Sequence, residues 1–549
     1  MEENQIKHFD DIFQYIGDFG PYQKRLYFMV ILPAAISALP TLGTVFILAD
    51  RLHRCKIPQL PNDTYASQGP WHDALINRSI PLSTEDGKKY DECHLYKYTN
   101  SSGNITESLQ SCHSWIYDES TFQNTVSSEF DLVCDKVVYQ STASMVYMAG
   151  LLFGSILFGA LADMFGRKPS LCVAISILFV SNLGLVFAPD YISFIILRFF
   201  VGISNVGTFG QCFVIGLELV GKPKRVFTGT VIEFFWCFGE LLVAGIAYFL
   251  PDWRHIQIAI TALVGIFLSY WILIPESLRW LFSTGKSQRA NELLLKIAKV
   301  NKVKLPDNIV INLQDASSSS FFKPLGQLLT SPTMLLRTGI ISLCWFVSNI
   351  GYYGLTLNSG RIGGNIYVNY VVSVAMELVA YIACLFLVDR IGRRAMFCAS
   401  MLLGGISCLC TIFTVMYAPH DLSWTTVALS NIGKLGASAS FAVILIFTPE
   451  LYPTKIRGSA LGLTNFIGKT GGVVSPYVAD LSLIVHSDMK VALPLIVFGG
   501  LMIGSGLLAF TLPETLGRKL PETIEEAEAM TRNHQSESEA LLPKDQEKK

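Results

Sequence analysis

Six ionisable side chains lie where charge is costly. Arg198, Glu233, Glu240, Glu377, Lys434 and Lys469 all fall inside long apolar runs. On insertion scales such a residue costs roughly 2.5–3.5 kcal/mol at mid-helix, so it normally faces a bundle interior or an aqueous cavity. At 1.5 Å of rise per residue, Glu377 and Lys469 each sit ~16 Å from the same side of the membrane. Opposite charges are therefore expected near one midplane. Spacing places Glu233, Trp236 and Glu240 on one helical face, and Trp345, Asn349 and Tyr352 on another. Aromatic faces with carboxylates suit a quaternary ammonium, by cation–π contact and direct attraction. A lysine suits a carboxylate on the same molecule. The expected chemistry is reversible capture of a small organic cation or zwitterion, not catalysis. No metal-ligand cluster or nucleophile–base arrangement stands out, and the nine histidines are scattered. No cofactor is expected, and sodium coupling stays open.

Each assignment has a packing alternative. Glu377 and Lys469 could be an ion pair that only positions helices, and Trp345 and Tyr352 could be ordinary core. Arg198 and Lys434 read as structural. Gly468-Lys469-Thr470 invites a phosphate-loop reading, but the preceding glycine, Gly462, is one residue too far away and no strand precedes it.

The elements that must position these residues are helices. The chain has 549 residues, 51% hydrophobic and 15% charged. Runs of about 20 apolar residues recur, each long enough to cross ~30 Å of hydrocarbon. In lipid the backbone must be paired within each segment, which makes the runs helical. Twelve spans are expected, at 26–49, 139–162, 169–188, 192–217, 226–250, 256–274, 338–357, 367–388, 395–418, 425–449, 458–484 and 492–512. The expected fold is an all-α membrane protein. No basic stripe suggests nucleic acid. The first run has no small-residue cleavage site and reads as a retained span.

The connection 50–138 is long and polar. It holds Cys55, Cys93, Cys112 and Cys134, with sequons at Asn62, Asn77, Asn100 and Asn104. Four clustered acceptors indicate the extracellular side. The even cysteine number fits a disulfide-stapled cap with three pairings open. The short loops agree: the four on the other side carry ten Lys/Arg, against three in the five on the cap side. The positive-inside rule then places both termini in the cytoplasm.

Three motifs recur at nearly one offset. Asp163-Met-Phe-Gly166-Arg167-Lys168 is echoed by Asp389-Arg-Ile-Gly392-Arg393-Arg394. Glu218 to Arg225 is echoed by Glu450 to Arg457, and Pro275-Glu-Ser by Pro513-Glu-Thr. Two related six-helix halves follow, with a site between them near the midplane, as in the major facilitator arrangement. The domains expected are a leader (1–25), a first bundle (26–274) holding the cap, a linker (275–337), a second bundle (338–512) and a tail (513–549). Ala290, Leu293, Leu294, Ile297 and Ala298 share one face of a linker helix, and Ser317–Ser320 reads as flexible linker.

Gly159-Ala-Leu-Ala-Asp163-Met-Phe-Gly166-Arg167-Lys168 resembles the signature of the major facilitator superfamily. The glycosylated first loop, Pro275-Glu-Ser-Leu-Arg-Trp-Leu281, Glu450-Leu-Tyr-Pro-Thr and the leader Asp11-Ile-Phe…Gly17-Asp-Phe-Gly-Pro-Tyr together resemble the organic cation, carnitine and anion transporters of solute carrier family 22. The resemblance covers all but the tail. It implies a plasma-membrane secondary transporter, with lipid and a small organic ion as its partners. It implies substrate contact at Trp345, Tyr352 and Glu377, with Glu233, Trp236 and Phe209 at other cavity positions. Organic cation members have an Asp where this chain has Lys469. Carnitine-type and anion-type members resemble this chain in having a basic residue there, and anion members add a second where this chain has Tyr381. Glu377-Leu-Val-Ala-Tyr381 is similar to the carnitine pattern, except that Val379 replaces a proline. The loops bearing Asp163, Gly166, Arg167, Glu218 and Arg225, and Asp389, Gly392, Arg393, Glu450 and Arg457, read as conformational gates.

Rival readings are an organic anion carrier using Lys469 and Lys434, and a non-transporting receptor displaying the cap. A sugar porter shares the Pro275 and Pro513 motifs but not the midplane charges. Glu537-Ser-Glu-Ala-Leu541-Leu542 matches an acidic dileucine pattern for trafficking adaptors.

Overall fold

The computed structural model describes residues 5–530 except 7–8, 59, 84–88, 102–103, 306–309, 312–330, 418, 420–421, 423, 454–455, 485–488 and 519–520. Among them, twelve long helices take up the apolar runs. The first bundle holds α1 (Pro21–Ile47), α2 (Val138–Phe165), α3 (Arg167–Val186), α4 (Tyr191–Glu218), α5 (Arg225–Phe249) and α6 (Trp253–Leu273). The second holds α7 (Pro332–Asn358), α8 (Ile366–Ile391), α9 (Arg393–Tyr417), α10 (Trp424–Glu450), α11 (Arg457–Ala479) and α12 (Ala492–Ala509).

Eleven of these are long and apolar enough to cross a bilayer; α11 is not among them. It carries Lys469 and a run of small and polar residues. Such a helix gains its place by close packing. A Cβ on Gly468 would come within 2.7 Å of the Trp345 Cβ, so α11 lies directly against α7.

The first helix is broken into Pro21–Ile36, Ala38–Leu42 and Thr44–Ile47. Prolines 33 and 40 lack the N–H that would continue the ladder. The carbonyl that Pro33 leaves free, Met29 O, accepts from the Tyr270 hydroxyl of α6 at 2.5 Å, and side chains from α4 bind carbonyls beside the two breaks. Asn205 Nδ2 donates to Ser37 O at 2.9 Å, and Arg198 Nη1 to Pro40 O at 3.3 Å. Arg198 is 1% exposed and lies 4.6 Å from the Tyr147 ring centroid. It is a structural cation that serves a broken helix.

One face of the bundles carries the cap. Two antiparallel strand pairs build it: His53–Cys55 with Trp115–Tyr117, and His94–Ser101 with Asn104–Ser111. Disulfides join Cys55 to Cys112 and Cys93 to Cys134, which selects one of the three pairings. Peptide mapping of unreduced protein should recover these two links, and a Cys55–Cys93 or Cys55–Cys134 peptide would contradict the cap. Asn62 and Asn77 are exposed, while the side chains of Asn100 and Asn104 lie outside the described residues. Glu129 ties the cap to the start of α6, accepting from Trp253 Nε1 at 2.6 Å and Arg254 Nη2 at 2.5 Å. Burial alone would raise this carboxyl, but the Arg254 and Trp253 bonds outweigh it and hold it below the usual carboxylate range.

The opposite face carries the linker. Its helix Ser287–Asn301 buries Ala290, Leu294, Ile297 and Ala298. The leader folds onto it: Phe9, Ile12, Phe13 and Ile16 cluster with Trp280, Leu281, Leu294 and Ile297. The Ser317–Ser320 run and the Glu537–Leu542 motif lie outside the described residues.

Candidate functional site

The midplane charges meet where the bundles touch. Glu377 of α8 is wholly buried and ion-pairs with Lys434 of α10 at 2.8 Å. The Tyr352 and Tyr381 hydroxyls each donate to Glu377 Oε1 at 2.8 Å. Lys434 Nζ donates to Thr356 Oγ1 at 2.6 Å and stands 3.5 Å from the Tyr352 ring centroid. That ring also stacks on Phe441, with centroids 5.2 Å apart. Helical spacing accounts for the grouping: Tyr352 and Thr356 on α7, and Glu377 and Tyr381 on α8, are each four residues apart.

The first bundle contributes α5. Trp236 Nε1 lies 2.8 Å from Glu240 Oε1 and 3.0 Å from the Tyr352 hydroxyl oxygen, which is itself 3.2 Å from Glu240 Oε1. A single phenolic proton cannot serve both Glu377 and Glu240, so the indole N–H is the other donor holding Glu240. Glu240 Oε2 is buried with no partner among the described residues. Phe209 of α4 packs edge-on against Trp236 at 5.1 Å. Tyr352 therefore touches acids and aromatics from both bundles.

The remaining candidates fall around this junction. Glu233 and Lys469 are half-buried, and neither makes a hydrogen bond or ion pair among the described residues. Trp345 is 1% exposed and donates Nε1 to Thr448 Oγ1 at 2.9 Å, so in this conformation it joins α7 to α10. The counter-ion of Glu377 is thus Lys434 and not Lys469. Lys434 is near the middle of its own run, but depth alone does not tell which way a helix is turned.

The capped face is sealed. Asp480 pairs with Arg361 and accepts from Ser141 Oγ, both at 2.5 Å. Phe46 packs on Tyr367 and Tyr370 at 5.6 and 4.9 Å, and Tyr367 donates to Ala247 O at 3.2 Å. At the opposite ends, no hydrogen bond or ion pair joins the bundles among the described residues.

Two matched clasps sit at those ends. Glu276 Oε1 accepts the Arg167 and Lys168 amides at 2.9 and 3.1 Å. Glu514 accepts the amides of Arg393, Arg394 and Ala395 at 2.8, 3.1 and 3.3 Å. Each carboxylate caps a helix N-terminus, where the dipole favours negative charge. Gly392, at φ 105°, leaves the room: a Cβ there would come within 2.6 Å of Glu514 Oε2. Gly166, at φ 113°, does the same for Glu276. Arg167 reaches Asp163 at 2.8 Å and Glu218 at 3.1 Å. Arg393 reaches Asp389 at 2.8 Å and Glu450 at 3.2 Å. Two residues stand apart: Arg225 pairs with Asp10 of the leader at 2.5 Å, and among the described residues Arg457 hydrogen-bonds to its local backbone, at Tyr452 O. Sequence reasoning missed the capping role of Glu276 and Glu514, although their Pro-Glu-Ser/Thr repeat was the available signal.

A family model described as sugar (and other) transporter matches residues 88–527. The organic cation transporter protein of Drosophila melanogaster is 37% identical over 533 residues, covering 95% of this chain and 94% of that protein. The beta-alanine transporter of the same fly is 31% identical, with 95% and 89% covered. Mouse solute carrier family 22 member 3 is 31% identical, with 95% and 96% covered. Among solved structures, the inward-open xylose transporter XylE from E. coli superposes with a TM-score of 0.60 at 16% identity, over 92% of this chain and 99% of that one. That last likeness is one of fold.

Proposed function

The chain belongs to the sugar (and other) transporter family of the major facilitator superfamily, alongside organic cation transporters and solute carrier family 22 members, and from that premise we propose that it is a polyspecific carrier of small organic cations or zwitterions of carnitine type. The observation that carries this reading is the acidic, aromatic junction of Glu377, Tyr352, Trp236 and Glu240 between the bundles. Lys434 already stands where a substrate ammonium would bind, over the Tyr352 ring and against Glu377. A substrate cation would share or displace that lysine. Lys469, with no counter-ion among the described residues, would attract a substrate carboxylate or repel simple cations. A relative named for beta-alanine, which carries one ammonium and one carboxylate, supports the zwitterion reading.

Transport proceeds by alternating access: substrate binds at the junction, the bundles rock, and release follows on the other side. The present conformation, closed at the cap, is one of the two end states. The protein sits in the plasma membrane with the cap outside and both termini in the cytoplasm, in accord with the loop charges. One observation favours an organic anion carrier instead: internal neutralisation of Glu377 by Lys434 leaves Lys469 as the cation without a carboxylate partner among the described residues.

Uptake assays in expressing cells separate these readings. Radiolabelled carnitine should enter above vector controls and be competed by other betaines more strongly than by a dicarboxylate. Lys469→Asp should shift preference at least fivefold toward tetraethylammonium. Competition by the dicarboxylate alone would favour the anion reading, and no uptake of any probe would favour a receptor.

A further inference from the structure

On the face opposite the cap, outside the junction, lies a cavity of about 460 Å³. Linker helix Ser287–Asn301 forms one wall. The helix residues Arg289 and Lys296, seven apart, share one helical face, and with Lys286, which precedes the helix, they line this space. That face is turned away from the one buried against the leader. Lys168, at the start of α3, closes the ring from the other side. None of the four makes an ion pair among the described residues; Lys286 rests on the Trp280 ring at 4.1 Å. Two acids line the same space. Glu276 is spent on the Arg167 and Lys168 amides, which leaves Glu292 facing four cations.

The rest of the wall is apolar and continuous with the membrane-facing surface. Phe165, at the end of α2, lines the cavity and is 59% exposed, and its neighbour Met164 is 69% exposed. The cavity thus sits where hydrocarbon gives way to headgroups. Clusters of four or more Lys/Arg immediately beyond a membrane span attract anionic lipid headgroups.

We propose that this cavity binds the phosphorylated headgroup of a phosphoinositide, with its phosphates on Lys168, Lys286, Arg289 and Lys296 and its acyl chains passing Phe165. A free polyphosphate would satisfy the cations equally well, but the apolar wall opening to the bilayer favours the lipid. Bound there, the lipid would bridge the linker helix to the α2–α3 clasp and stabilise the first bundle.

The test uses the full chain in nanodiscs of phosphatidylcholine, with or without 5% phosphatidylinositol 4,5-bisphosphate. The phosphoinositide should raise the melting midpoint by several degrees. The exposed triple variant Lys286→Gln/Arg289→Gln/Lys296→Gln should melt with the parent in phosphatidylcholine and lose the gain. Should the triple variant not fold, Lys296→Gln alone decides, with an expected fivefold weaker lipid response. An unchanged gain in the variants, or none in the parent, overturns the site. Equal protection by soluble inositol trisphosphate in phosphatidylcholine discs overturns the lipid assignment.

Discussion

Replacing Glu377 by glutamine should abolish uptake and lower the melting midpoint, and adding Lys434→Met should restore the stability but not the uptake. The first effect follows from burial. The Lys434 side chain is 2% exposed, and among the described residues Glu377 is the carboxylate it ion-pairs with. Breaking such a pair leaves a buried charge and costs about 3–5 kcal/mol, whereas removing both charges is often neutral. Thr356 Oγ1 and the Tyr352 ring alone do not replace a carboxylate. The second effect follows from function. An apolar pair would keep α8 against α10 but would offer an ammonium group no anion. Melting of detergent-solubilised protein and uptake per surface molecule check the two limbs separately. Wild-type uptake in the double variant would mean that Glu377 only packs helices, and the proposed substrate site would be lost.

The other large effect is expected at the clasps. Glu514→Gln should cut uptake at least tenfold and destabilise the second bundle, with Glu276→Gln acting likewise in the first. The Glu514 carboxylate uses both oxygens to accept three amides at the start of α9. A glutamine keeps one acceptor and turns an NH2 toward amides that also donate. Hydrogen bonds to a charged group contribute about 1.5–3 kcal/mol, and an anion at a helix N-terminus adds up to about 2 kcal/mol. These overlap, so a loss of about 3 kcal/mol is expected, roughly a hundredfold in an equilibrium constant. Thermal melting and initial-rate uptake read this out. A Glu514→Gln protein that transports and melts like the parent would reduce the clasp to an incidental contact.

The legibility of the molecule differs from residue to residue. Glu377, Glu240, Trp236 and Tyr352 stood out because ionisable and aromatic groups in apolar runs are conspicuous wherever the helices turn. Their partners did not. Lys434 and Lys469 lie on two helices of the same bundle at comparable depth, and a helix turns by 100° per residue. Choosing between them needs the packing faces of α10 and α11. Gly468 sets one of those faces by letting α11 approach Trp345. Arg225 shows the same limit at greater range, since Asp10 lies 215 residues away in the chain. Trp345, a candidate for cation contact, donates its indole N–H to Thr448 in this conformation, a pairing no local spacing announces.

What the chain determined by itself is local or repetitive: the helical runs, because lipid forbids unpaired backbone over some 20 residues; the two halves, because three motifs recur; and the stapled cap, because its cysteines and sequons cluster. Apolar runs marked all twelve helices, 458–484 included, although α11 is not among the eleven that length and composition alone would carry across a bilayer, and contacts hold it in place. Tertiary structure alone decided which lysine neutralises Glu377, which cysteines join, and where the leader and linker dock. Those outcomes depend on helix rotation and long-range contact, and neither is encoded in any short window of residues.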